Sequence, residues 1–218
     1  MPLARKRKSA QKISDFTRVY LMRHPEVVGY YEGRFWGHSD VSLSRYGKEQ
    51  MKAMAQRMGR EKLAAVYCSD LMRTRQVAEA IGRVQRPRLK PHSDPSFREL
   101  NLGIWEGLTY QEIAARYPDQ LAARARDLAN FAIEGGESLA QLSQRVLPAF
   151  WEMVEQNRGK EVCLVAHAGV NRVILVEIMG APLDNVFRLE QEYGCLNIID
   201  IFEDSVPVIK LVNQSIEV

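Results

Sequence analysis

The feature that most constrains this chain is a recurring unit. An apolar run of four to seven residues is followed by a polar or glycine-containing turn, then by a stretch whose apolar positions repeat with helical spacing. That alternation is the signature of βαβ units around a mainly parallel sheet, so the fold class is α/β. Val19-Tyr20-Leu21-Met22 reads as the first strand, and Ser44 caps a helix running to Met58, with Met51, Met54, Ala55 and Met58 on one face. Ala64 to Cys68 reads as a second strand, Leu71 to Ile81 as a helix closed by Gly82, and Arg88 to Pro91 as a short extended piece. Thr109-Tyr110-Gln111-Glu112 matches a capping box and opens a short helix that stops near Pro118. Ser138 caps a longer helix to about Asn157 that Pro148 is expected to bend. Val162 to Ala166 is a buried strand and Val170 to Met179 an apolar helix. Leu196 to Ile201 and Val206 to Val212 form a late hairpin through the Glu203-Asp204-Ser205 turn.

Composition narrows the class of protein. With 218 residues, 46% hydrophobic and 26% charged, the chain has enough apolar mass for one sizeable core, which excludes a disordered or fibrous reading. No apolar run approaches the roughly 20 residues of a membrane helix. No linker divides residues 16 to 218, which read as one domain. Residues 1 to 18 hold six cations against Asp15, a net of +5, and leave −2 for the other 200. The basicity therefore belongs to an N-terminal arm over residues 1 to 15, read as a solvated and flexible segment, and the folded body has no charge for nucleic acid. Cys68, Cys163 and Cys195 lie far apart without a CxxC pair, and the basic N-terminus lacks an apolar stretch behind it. A reducing cytoplasm is the expected compartment.

Chemistry concentrates at strand ends, where open α/β sheets place their ligands. The first strand runs into Arg23-His24, Ala64 to Cys68 leads through Ser69-Asp70 to Arg73 in the first turn of a helix, and Val162 to Ala166 ends at His167. If the strands are parallel, two imidazoles and two guanidinium groups converge. His38 and His92 sit in turn-like polar segments and read as ordinary surface groups. Neither HExxH nor paired Cys/His spacing is present, and Arg23 beside His24 would repel a divalent cation, so a metal site is not expected. Arginines beside histidines call for an anion.

A phosphate monoester meets that demand, because guanidinium forks match its oxygens and helix N-termini supply N–H donors. Enzymes accelerate its hydrolysis by up to ~10²¹, which corresponds to roughly 28 kcal/mol of barrier lowering. Splitting the reaction through a phosphohistidine would help, since a neutral imidazole is a competent nucleophile near its ordinary pKa of about 6.5. No P-loop or kinase glycine loop occurs, which leaves hydrolysis or transfer without ATP.

Six blocks in order extend this reading: Leu21-Met22-Arg23-His24 with Glu26, GHSDVSLSRYG over Gly37 to Gly47, SDLMRTRQVA over Ser69 to Ala78, RELNLGIWEG over Arg98 to Gly107, GGES over Gly135 to Ser138, and AHAGV over Ala166 to Val170. In these the sequence resembles the histidine phosphatase superfamily, which includes the cofactor-dependent phosphoglycerate mutases. The resemblance implies a phosphoglycerate mutase-like three-layer α/β/α sandwich with a mostly parallel central sheet, and no metal or other cofactor. It implies His24 as the nucleophile, Arg23 and Arg73 as phosphate clamps, Glu99 as the general acid, and His167 as a protonated second histidine. The Ala168 N–H is a further donor. Arg75 stands about 200° around the helix from Arg73 and cannot share its pocket. Glu106 competes with Glu99 but reads as structural. The chain departs from the family pattern at Pro25, where glycine is usual, and at Tyr30, whose hydroxyl would bind substrate in place of the asparagine that often contacts phosphate.

The motif around Glu99 and the spacing of only 38 positions to Glu137 resemble the phosphatase branch. Gln191 to Asp200 is similar to α-ribazole phosphatases, in which case Arg34, Phe35 and Trp36 would form a substrate wall. The expected partner is a small phosphomonoester, with α-ribazole 5′-phosphate the candidate. A phosphoglycerate mutase and a non-catalytic phospholigand-binding adaptor are the alternatives.

Overall fold

A computed structural model describes residues 16 to 202 and 206 to 218. Six strands form one sheet: β1 (Phe16–Arg23), β2 (Ala65–Cys68), β3 (His92–Ser93), β4 (Glu161–Ala166), β5 (Leu196–Phe202) and β6 (Val208–Gln214), ordered β3-β2-β4-β1-β5-β6. The pairs β3/β2, β2/β4 and β4/β1 are parallel, whereas β5 runs antiparallel to both β1 and β6. The sheet is therefore mostly parallel, with the late strand pair at one side. Its expected turn at residues 203 to 205, like the expected arm over residues 1 to 15, lies outside the described residues.

The helices are α1 (Arg45–Met58), α2 (Met72–Val84), α3 (Tyr110–Arg116), α4 (Pro118–Arg126), α5 (Leu139–Gln156) and α6 (Ala168–Ile178). Period-two alternation in β1 divides its side chains between two cores. Val19 and Leu21 pack with Leu142, Val146 and Phe150 of α5 and with Val173 and Ile174 of α6. Tyr20 and Met22 pack with Met54 and Met58 of α1 and with Val77 and Ile81 of α2. Two helical layers thus enclose the sheet, and the central strands are buried on both faces, as their near-continuous apolar sequence requires.

Several boundaries differ from the sequence reading for local reasons. Pairing at the sheet edge begins at His92, because residues 88 to 90 lie between Pro87 and Pro91 and turn back onto α2, where the Leu89 N–H donates to the Gly82 carbonyl at 3.0 Å. Pro118 ends α3 but also occupies the first turn of α4, where its missing N–H costs nothing, so one expected helix is followed directly by a second. Pro148 sits on the exposed side of an 18-residue helix that continues past it; the Gln144 carbonyl it deprives of a partner is on an exposed residue. Both Thr109 and Ser138 make the full capping box. Helix α6 starts two residues earlier than the apolar pattern suggests, immediately after His167. No helix among the described residues is long and apolar enough to cross a membrane.

Candidate active site

Register places the histidines. Arg23 pairs with Ala166 across β1 and β4, so the next residue of each strand, His24 and His167, leaves the sheet at the same level. Their ring centroids are 5.1 Å apart at 63°. On the far side of β4, Cys68 pairs with Val165, and the chain continues through Ser69 into α2 and Arg73. The convergence expected from strand ends is thus a consequence of three adjacent parallel strands.

His24 is 5% exposed. Its Nδ1 lies 2.8 Å from the Pro25 carbonyl oxygen, which can only accept, so Nδ1 carries the proton and Nε2 keeps the free lone pair. The backbone is held on both sides, by the His24 N–H donating to Ala166 and its carbonyl accepting from Gly194. Proline at position 25 is compatible with this geometry because the contact uses its carbonyl. Burial, then Arg73, then Arg23, push the His24 pKa well below 6.5.

His167 is fully buried. Its Nε2 is 2.8 Å from Ser69 Oγ, which in turn is 2.7 Å from Thr74 Oγ1, whose hydroxyl reaches the Leu71 carbonyl at 2.9 Å. This relay orients the ring. Its Nδ1 has no hydrogen-bond partner among the described residues. In the ligand-free pocket burial and the positive charges of Arg73 and Arg23 push the His167 pKa well below 6.5.

Arg73 is also fully buried, with Nη1 donating to Ser39 O at 2.8 Å and Nη2 to Gly37 O at 2.6 Å. Glu106 holds the same loop from the other side, accepting from the N–H groups of Gly37 at 3.2 Å and His38 at 2.6 Å. Its structural reading is therefore the better one. Arg23 donates to the Gln191 carbonyl at 2.6 Å and stacks over Tyr193, 3.6 Å from the ring centroid. The Nε atoms of Arg23 and Arg73 are buried without a partner, as is His167 Nδ1. Two unpaired guanidinium donors, beside a ring nitrogen of His167 that donates only once protonated, are an anomaly that an oxyanion would resolve.

Glu99 lines the same cavity as His24. Both of its carboxylate oxygens accept from the Gly169 N–H at 3.1 Å, and Oε1 also accepts from Leu100 at 2.9 Å. The loop carrying it is clamped by Arg145, which donates to the carbonyls of Ser96 and Arg98 and pairs with Glu137; Glu137 accepts from the Asn101 N–H at 2.9 Å. The GGES block thus holds the loop that carries Glu99.

The remaining expected residues divide. Ala168 opens α6 and lines the cavity, as do Tyr30, Arg34, Phe35 and Trp36. Tyr30 meets Tyr193 edge-on at 5.4 Å. Arg34 is committed elsewhere: its guanidinium donates to Glu32, Gly107 and Glu112. Arg75 is exposed and turned away from the pocket. His92 stacks on Tyr67 at 4.9 Å, but His38 is drawn inward, against the Glu99 backbone and Arg145. Sequence reasoning missed Ser69, Tyr193, Arg124 and Arg172. Arg172 was recoverable, because it stands four residues from Ala168 on one helix face; Tyr193 had no local signal.

These elements define an α/β protein with an anion pocket built on paired histidines and arginines. Residues 19–215 match the family model of the histidine phosphatase superfamily (branch 1), and the chain belongs to that superfamily. It is 32% identical to phosphoglycerate mutase-like protein 4 of Arabidopsis thaliana over 186 residues, covering 80% of each protein. It is 33% identical to the glucosyl-3-phosphoglycerate phosphatase of Mycolicibacterium vanbaalenii over 175 residues, covering 77% of this chain and 76% of that protein. The fold matches the crystal structure of the α-ribazole phosphatase from Shigella flexneri with a TM-score of 0.82 at 24% identity, covering 92% and 98% of the two chains.

Proposed function

We propose that this chain is a phosphomonoesterase that hydrolyses a small-molecule ester through a phosphohistidine at His24, without a metal. The observation that carries the reading is the pair of unpaired buried donors, Arg23 Nε and Arg73 Nε, beside an imidazole whose free lone pair is on Nε2, with the unpartnered Nδ1 of His167 a third donor once that ring is protonated. A phosphoryl group there accepts from all three. In the first step Nε2 attacks phosphorus, the P–O ester bond breaks, and Glu99 gives its proton to the departing oxygen. In the second, water attacks phosphorus, Glu99 takes a proton from it, and the P–N bond breaks to return neutral His24. A dianion between the arginines offsets their field, so His167 gains its proton and stabilises charge as the ester binds. Similarity to a phosphatase that spans three-quarters of both chains supports water as the acceptor.

The test is brief exposure of the purified protein to a phosphodonor, followed by measurement of acid-labile, base-stable phosphate. Wild type acquires the label and His24→Ala does not; a protein that never acquires it is a phospholigand-binding adaptor. Incubation with 3-phosphoglycerate and 2,3-bisphosphoglycerate is expected to yield no 2-phosphoglycerate, in contrast to a mutase. α-Ribazole 5′-phosphate remains the substrate candidate from sequence, and the rings of Phe35 and Trp36 in the cavity wall suit a flat base. A kcat/KM no better than that of p-nitrophenyl phosphate removes it.

A further inference from the structure

Beyond His24 and Glu99 the pocket opens into a cavity of about 520 Å³ walled by apolar and aromatic side chains, among them Trp36, Trp105, Tyr110, Ile113 and Phe187. A phosphoryl group occupies only one end of such a space. The cavity wall also carries two arginines that phosphate chemistry does not use. Arg172 of α6 lies 5.3 Å from the Phe187 ring centroid, donates to the Leu189 carbonyl at 2.8 Å and faces Glu190 at 3.8 Å. Arg124 of α4 lies 5.9 Å from the same ring and 5.9 Å from Trp105.

Arg124 differs from the other charged groups of the cavity. Arg34 is neutralised by Glu32 and Glu112, Arg23 belongs to the phosphate end, and Arg172 has Glu190. Among the described residues Arg124 makes no ion pair, and its Nη1 is buried without a hydrogen-bond partner. The indole Nε1 atoms of Trp36 and Trp105, both in the cavity wall, are likewise buried donors without acceptors. Stacking on two rings compensates a guanidinium only in part, and an unpaired buried donor costs about 1–3 kcal/mol, more when charged. Of these donors Arg124 is the cationic one, and a guanidinium without an acceptor in a cavity wall is the complement of an anion rather than of a neutral group.

We infer that Arg124 is a specificity-determining residue that binds a second anionic group, a carboxylate or a second phosphate, on a phosphomonoester whose intervening body is apolar or aromatic. The inference rests on the phosphomonoesterase reading and narrows its substrate class. Arg172 and the shared Phe187 ring bridge the two ends, since Arg172 feels the charges of both Arg23 and Glu99. α-Ribazole 5′-phosphate offers no second anion, so this assignment ranks it below a carboxylated ester of similar size.

The test uses non-hydrolysable ligands, so that binding is read without turnover. Dissociation constants are measured by calorimetry for benzylphosphonate, 4-carboxybenzylphosphonate and 1,4-xylylene bisphosphonate, and for the corresponding biphenyl series, which reaches further. In wild type at least one ligand carrying the second anion binds about tenfold or more tighter than the parent phosphonate that lacks it. Arg124→Leu brings that ratio to near one, and Arg124→Lys retains part of it. A ratio near one for every pair in wild type, or a ratio that survives Arg124→Leu, overturns the proposal. Using the ratio within each variant cancels any general damage to the fold. Failure of the phosphomonoesterase reading shows separately, as absence of the phosphohistidine label, and leaves the ratio readable.

Discussion

A Cβ at position 169 would fall 2.4 Å from Oε1 of Glu99. The same glycine donates its N–H to both oxygens of that carboxylate. Glycine at the second residue of α6 therefore sets how closely the proposed acid approaches the helix, and a methyl group there must displace it.

Gly169→Ala is expected to separate the acid's role from that of the nucleophile. Displacing Glu99 lowers kcat on alkyl phosphates about a hundredfold, within the range for general acid catalysis, because an alkoxide needs a proton to depart. p-Nitrophenyl phosphate, whose phenolate leaves unassisted, loses only a few-fold. The retained turnover of p-nitrophenyl phosphate excludes unfolding as the cause of the loss. Equal losses on both substrates would show that Glu99 is not the acid.

Glu106 acts one step further from the ester. It holds the Gly37 and His38 N–H groups, while the carbonyls of Gly37 and Ser39 hold Arg73, so the carboxylate positions the clamp through a loop. Glu106→Ala leaves two N–H groups unpaired and is expected to destabilise the fold by about 1–3 kcal/mol in urea titration. It should raise KM for alkyl and nitrophenyl phosphates alike. Glu106→Gln keeps one accepting oxygen and falls between. A selective loss on alkyl phosphates would instead make Glu106 the acid.

The parts of this site that sit on regular elements were legible in the sequence. His24, His167 and Arg73 follow strands whose apolar runs fix their ends, and parallel pairing does the rest. What escaped is what long-range packing decides. Tyr193 reaches Arg23 only because the segment before β5 folds back over the end of β1, with the Arg23 N–H donating to Cys195. Arg124 was hidden because Pro118 marks a stop in sequence yet opens a helix in space. The neutral state of His167 in the ligand-free pocket escaped for a third reason: it depends on the sum of burial and nearby positive charges, which no motif encodes.

The environment of His24 fixes the acidic limb of the rate profile. Burial, Arg73 and Arg23 all oppose protonation, so the nucleophile stays neutral well below the ordinary histidine value. A plot of kcat/KM against pH is expected to keep its plateau down through 6.5 and to fall only at lower pH. A limb at or above 6.5 would mean that the imaging of His24 as a buried neutral base is wrong.

The same two histidines set a pH dependence of stability. In the unfolded chain both take a proton near 6.5, whereas in the fold both stay neutral to well below it. Between those limits the unfolded state binds up to two more protons, so the unfolding free energy rises with pH, with a slope approaching about 2.7 kcal/mol per unit from this pair. Above 6.5 neither state is protonated and their contribution is flat. Urea midpoints measured from pH 5 to 8 should therefore climb and then level, and His24→Asn should remove about half of the slope that this pair contributes. Saturating inorganic phosphate should flatten it further, because a bound anion favours the charged form of His167 and returns a proton to the folded state. A slope unchanged by His24→Asn would place the titrating groups elsewhere in the chain.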